Sequence, residues 1–347
     1  MSYTNGLDDP TAYFQTVIWT GNGSARSITL DGNSDLQPDM VWLKQRSGTE
    51  NHNLYDSVRG AGVRLIPNLA NSESTTNELT AFNSDGFSLA DGDEVNANSS
   101  TYVAWNWKGG TTGSGTTNGS KAYSYSASPD AGFSVVTYTG NATAGHLIPH
   151  GMGKVPRLIH VKSRADDNGW TSGTIGSASA WNDHGYLYLA KAFGTDANQF
   201  GATPDTTNFR LGTGTGTNGN NATRVAYCFA DVQGYQKIGK FSGNANADGT
   251  FVYCGFKPRW IMIKGLNVAR NWGMNDTKRS PINQTQDSLY ANVSDAETGS
   301  GNYIDFLSNG FKLRDSALTM NGSYNYLFHA IAENPFVTST GVPACAR

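Results

Sequence analysis

An all-β fold of three tandem antiparallel β-sandwich units, of jelly-roll or lectin-like kind, is predicted by three observations. Short runs rich in Val, Ile, Tyr, Phe, Trp and Thr alternate with Gly/Asn/Asp/Ser clusters, as sandwiches and barrels require. No window of a dozen residues carries a capped apolar stripe of helical period. Three stretches also repeat one text in one order. Each opens with an aromatic residue before a Gly-Asn turn: Trp19-Thr20-Gly21-Asn22, Tyr138-Thr139-Gly140-Asn141 and Phe241-Ser242-Gly243-Asn244.

A proline follows 15 to 17 residues after each of those glycines, and six residues on from it stands a lysine: Pro38 to Lys44, Pro156 to Lys162, Pro258 to Lys264. The residues between are apolar at successive positions (40–43, 158–161, 260–263), so both faces of each strand should be buried. The proline stands at the strand entrance, where a missing N–H costs no ladder bond. Phe87, Phe209 and Phe311 mark the next strand, and Trp105, Tyr227 and His329 lie eighteen residues beyond them. The closing strand alternates, with Val103, Trp105 and Trp107 on one face and Tyr102, Ala104 and Asn106 on the other. A period of roughly 100 to 120 residues is too long for a solenoid repeat, so each unit should own a core.

The frame divides the chain into an N-terminal arm (1–11), unit one (12–108), a linker (109–121), unit two (122–231), unit three (232–332) and a C-terminal tail (333–347). The linker is assigned from its Gly/Ser/Thr composition, which offers little to pack.

Charged residues form only 15% of the 347-residue chain and the net charge is −3 without a basic run, which argues against nucleic acid. No apolar run approaches the roughly 20 residues of a spanning helix, and no secretory leader is expected at the N-terminus. Cys228, Cys254 and Cys345 lack metal or disulfide spacing, so Cys228 and Cys254 should be buried small hydrophobes.

Residues matched between units should serve the scaffold. Eight residues past the lysine stand His52, Trp170 and Trp272, and units one and three share Asp56 with Arg59 and Asp276 with Arg279, plus Glu73 and Glu297. The Asp-x-x-Arg pairs read as salt bridges fixing a surface turn, a modest contribution of about 0–1 kcal/mol. The Asn244 to Gly249 run resembles the front of a calcium loop, but Gly255 stands where a bidentate Glu is needed. His146 and His150 flank Pro149 and do not share a helix face. No nucleophile–base set or carboxylate pair is recognisable, so neither an enzyme nor a cofactor is expected. The unmatched cluster in unit two, Trp181, Asn182, Asp183, His184 and Tyr186, is the candidate ligand site: aromatic faces stack on a pyranose while Asn, Asp and His bind its hydroxyls.

The opening 8–16, the run 20–44, Asp56-Ser57-Val58-Arg59-Gly60, Phe82 to Phe87, Val103 to Lys108 and Glu333 to Ser339 together resemble a repeat family of tail-fibre-like or minor structural proteins in marine tailed bacteriophages. The resemblance implies a virion component made in the bacterial host cytoplasm. Its partners would be other tail or capsid proteins and copies of itself, as a homotrimer. The function expected is host attachment, with host-surface polysaccharide as ligand. A capsid decoration or head-fibre protein, and a carbohydrate-binding module, are the alternative expectations.

Overall fold

The computed structural model describes residues 7–174, 181, 183–299 and 303–342. It is built almost wholly of strands, and every strand pairing among the described residues is antiparallel. Three stretches of chain lay down the same sheet order. In the first, the strands run Phe14–Thr20, Thr101–Trp107, Met40–Gln45, Asn53–Asp56 across the sheet. In the second the corresponding neighbours are Phe133–Thr139, Thr223–Ala230, Pro156–Ser163 and Thr171–Thr174. In the third they are Gln236–Ser242, Asn325–Pro335, Phe256–Gly265 and Gly273–Asp276. A small three-stranded sheet accompanies each, with Gly86–Leu89, Asn208–Leu211 or Gly310–Leu313 in its centre.

The successive apolar positions divide between two cores, as strand alternation demands. Val41 and Leu43 join Phe87 and Leu89 of the small sheet, whereas Met40 and Trp42 face the other way. Ile159 with Val161, and Ile261 with Ile263, likewise face small sheets of their own. The opposite faces of all three large sheets meet in one shared core holding Trp42, Trp105, Trp107, Phe133, Trp170, Phe229, Trp260 and Trp272. Trp107 meets Trp260 edge to face at 5.7 Å, and Phe133 lies 5.4 Å from Phe229. Pro156 opens its strand, and Pro258 sits at a register shift where no ladder bond is lost.

The Gly-Asn signature has a defined task. A Cβ on Gly21, Gly140 or Gly243 would lie 2.1, 2.3 or 2.2 Å from a backbone oxygen of Ala97, Gly219 or Gly322, so only glycine admits that approach. The following asparagine then meets a second, buried asparagine. Asn96, Asn218 and Asn321 each accept the backbone N–H of Asn22, Asn141 or Asn244. Each also donates to that residue's amide oxygen and to two loop carbonyls. The buried lysines do similar work. Lys44, Lys162 and Lys264 donate to loop carbonyls, and burial pulls each amine down to about 8.

Two expectations need correcting. The 109–121 stretch is not a free linker: Thr111–Thr116 is an edge strand paired with Ala122–Ser128. Its β-branched threonines suit a strand, and the Tyr125 and Tyr123 rings lie over Gly113 and Gly115, where a Cβ would crowd them. The arm is not separate either, since Leu7 is buried in the shared core and Ser339 N–H donates to Asp8 at 2.8 Å.

Removing the amide of Asn321 would strand several buried polar groups, so Asn321→Ala should cost about 2–4 kcal/mol in urea unfolding. A loss below about 0.5 kcal/mol would show that the clamp is dispensable. Burial also holds the imidazoles of His52, His160 and His329 down at about 3. A base with a depressed folded pKa takes up its proton more readily when unfolded, so stability is full above about 6.5 and falls towards pH 3. The melting temperature should therefore drop between pH 7 and pH 4, less steeply in His329→Phe; parallel pH profiles would refute this origin.

Candidate functional site

The unmatched cluster of the second stretch is dispersed by its strand. Trp181 is 1% exposed and packs in the core with Ile148, Phe209 and Phe200, whose ring it meets edge-on at 6.3 Å. It cannot offer a face to a sugar. Burying a whole indole outweighs the unpaired Nε1 that burial leaves. Asn182 lies outside the described residues. Asp183, His184 and Tyr186 belong to the strand Asp183–Tyr186, paired with Thr171–Thr174.

His184 and Tyr186 share one face, edge to face at 5.5 Å, and Tyr188 meets Tyr186 at 5.9 Å. Burial lowers the His184 pKa despite nearby Asp196. The Lys191 amine stands 5.6 Å above the Tyr186 ring. These tyrosines and Lys191, with Asn168, Gln199 and Thr215, line an open groove of about 410 Å³. The buried Gln199 Oε1 has no hydrogen-bond partner. The groove thus offers aromatic edges, one cation, amides and hydroxyls, a set suited to a hydroxyl-rich ligand. Tyr188, Lys191 and Gln199 escaped the sequence reading because they lie beyond the compact motif, in the turns and loop that follow its strand. Asp183 points elsewhere, to Lys240 of the third stretch at 3.8 Å.

The residues matched in sequence form contacts between stretches that close on themselves. Trp170 Nε1 donates to Ile66 O, Trp272 Nε1 to Tyr186 O, and His52 Nε2 bonds Tyr290 O, at 2.9, 2.9 and 3.0 Å. Tyr186 and Tyr290 stand opposite residues 171 and 273, and Ile66 directly follows Leu65, which bridges Leu54. Arg46 pairs with Glu297 at 2.6 Å, and Arg164 with Glu73 at 2.8 Å. The Asp-x-x-Arg pairs are not surface turns. Asp56–Arg59 and Asp276–Arg279 are fully buried at 2.6 Å, and the same aspartates accept from Tyr227 and Trp105 of other stretches.

The remaining candidates are structural. His146 bonds Thr117 and Asn218. The Asn244 run is a pair of Asx turns, with Asn246 N–H donating to Asn244 and Asp248 N–H to Asn246. Cys228 and Cys254 are buried and free, the burial of each raising its thiol pKa. Among the described residues no three His, Cys, Asp or Glu side chains gather as metal ligands, and no helix is long and apolar enough to cross a membrane.

The chain belongs to a family described as a domain of unknown function (DUF7483), which it matches over residues 9–335. No curated protein and no solved structure matches it.

Trp181→Ala should lower stability by about 3–5 kcal/mol by opening a cavity. A thermal or urea denaturation unchanged from wild type would put Trp181 back at the surface.

Proposed function

We propose that this protein is a bacteriophage virion component, a tail-fibre or adhesin part that contributes to host-cell attachment. Its three stretches would be tandem antiparallel β-sandwich units. The observation that carries this reading is a division of labour. The residues common to the stretches go into cores, clamps and inter-stretch contacts, whereas the unmatched tyrosines of the second stretch line an open groove. A rigid body that spares one surface for contact suits an adhesin, and so does the wording shared with tail-fibre-like phage proteins. Copies would assemble as homotrimers, joined to other tail proteins and working on the virion after assembly in the host cytoplasm. Host-surface polysaccharide is the proposed ligand class, with weak sites gaining strength through repetition.

Antibody labelling of purified particles in the electron microscope should decorate the tail, while label confined to the head would favour a decoration protein instead. The Tyr186→Ala/Tyr188→Ala variant should reduce binding of the assembled protein to host cells at least tenfold and shift melting only slightly. Unchanged binding would remove the groove from the attachment surface.

A further inference from the structure

The three inter-stretch junctions share a backbone contact but not a side-chain one. Glu297 N–H donates to Arg46 O, Glu73 N–H to Arg164 O, and Phe193 N–H to Leu266 O, at 2.8, 3.0 and 2.8 Å. The residues at 46, 164 and 266 also donate their own N–H to Thr101, Thr223 and Asn325, so the positions correspond. Two junctions are then closed by an Arg–Glu pair. The third has Leu266 against Phe193. It also lacks the buried aspartate bond, because Thr174 stands where the others have Asp56 and Asp276, and His329 bonds Gln236 instead.

The space beside the junctions also differs, and beside Arg164 the strand residues Ala122, Tyr123 and Ser124 take part of it. Beside Arg164, the cavity lined by Tyr138, Thr139 and Thr223 holds about 200 Å³. The corresponding cavity beside Leu266, where Phe241, Ser242 and Asn325 replace those residues, holds about 400 Å³. That is within the ~300–1,000 Å³ of small-ligand sites. Phe193, Phe241 and Leu266 supply apolar surface, and Asp183 and Lys240 face each other at 3.8 Å on its wall.

We propose that this junction cavity is a second binding site, one that takes a single neutral pyranose residue of a glycan. The apolar side chains would cover the C–H face of the ring. A hydroxyl both donates and accepts, and the carboxylate and ammonium offer an acceptor and a donor side by side. Their charges cancel, which disfavours both a uronate and an amino sugar, since each would meet one like charge. The lining comes from two stretches, with Asp183 and Phe193 on one side and Lys240, Phe241 and Leu266 on the other. A bound sugar therefore bridges the junction that lacks the Arg–Glu pair of the other two, and occupancy should raise the melting temperature by linkage. This inference rests on the attachment reading only for the biological source of the sugar.

The test uses the purified full chain and saturation-transfer NMR with glucose, galactose, N-acetylglucosamine, galacturonate and glucosamine as free probes. At least one neutral sugar should bind and raise the melting temperature, with the two charged sugars at least fivefold weaker. The Leu266→Arg/Phe193→Glu variant, which rebuilds the pair of the other junctions, should fill the cavity and weaken binding at least tenfold. Should that variant not fold, Lys240→Ala at the half-exposed rim should weaken binding at least fivefold. Tyr186→Ala in the separate groove should leave this binding intact. No neutral sugar bound, equal binding of the charged sugars, insensitivity to the foldable cavity variants, or loss with Tyr186→Ala would each overturn the site. Sugar binding by a protein that labels only phage heads would instead sink the attachment reading and leave this one standing.

Discussion

Each large sheet is apolar on both faces, and the rest of the molecule follows from that constraint. One face is covered by the small sheet that the same stretch supplies, with Phe87, Phe209 or Phe311 at its centre. The other face carries Trp105 and Trp107, or Trp170 and Phe229, or Trp260 and Trp272. Exposed, it would be a contiguous apolar surface far beyond what a soluble chain tolerates. The three faces cover one another, and burial at roughly 25 cal/mol per Å² makes that closure the dominant favourable term.

A hydrophobic seam alone is weakly directional, and the polar groups at its margin supply orientation. Asp56 and Asp276 sit buried with their arginines, where the desolvation cost of both charges is high. They recover part of it by accepting from Tyr227 and Trp105, donors that arrive only when neighbouring stretches dock in this register. The indoles of Trp170 and Trp272 and the imidazole of His52 impose the same condition on three equivalent carbonyls. A misdocked arrangement would leave these groups buried and unpaired, at about 1–3 kcal/mol each.

Near-equivalence also makes its exceptions informative. Where three positions do the same structural work, the one that stops doing it is released for something else. The second stretch contributes most of these releases: Thr174 in place of an aspartate, Phe193 in place of a glutamate, and a tyrosine-lined groove. The third adds Leu266 in place of an arginine. The tyrosine-lined groove and the cavity beside Leu266 lie among these exceptions.

The all-β class, the position of the core strands and their double burial were legible along the chain, because side-chain alternation and turn chemistry are local and carry a fixed period. So was the scaffold role of Trp170, Trp272 and the Asp-x-x-Arg pairs, since recurrence at matched offsets needs no coordinates. What only tertiary structure decided concerns partners distant in sequence. Trp181 was placed at a surface by its polar neighbours, yet the folded chain buries it against Phe200 and Phe209. Asp183 separates from Tyr186 because an odd offset along the strand puts them on opposite faces. Thr111–Thr116 is a strand because a tyrosine-rich neighbour pairs with it, a fact absent from its own composition. The closure of three stretches on one shared core depends on which faces remain uncovered once each has folded. That quantity is a surface, and a linear text does not contain it.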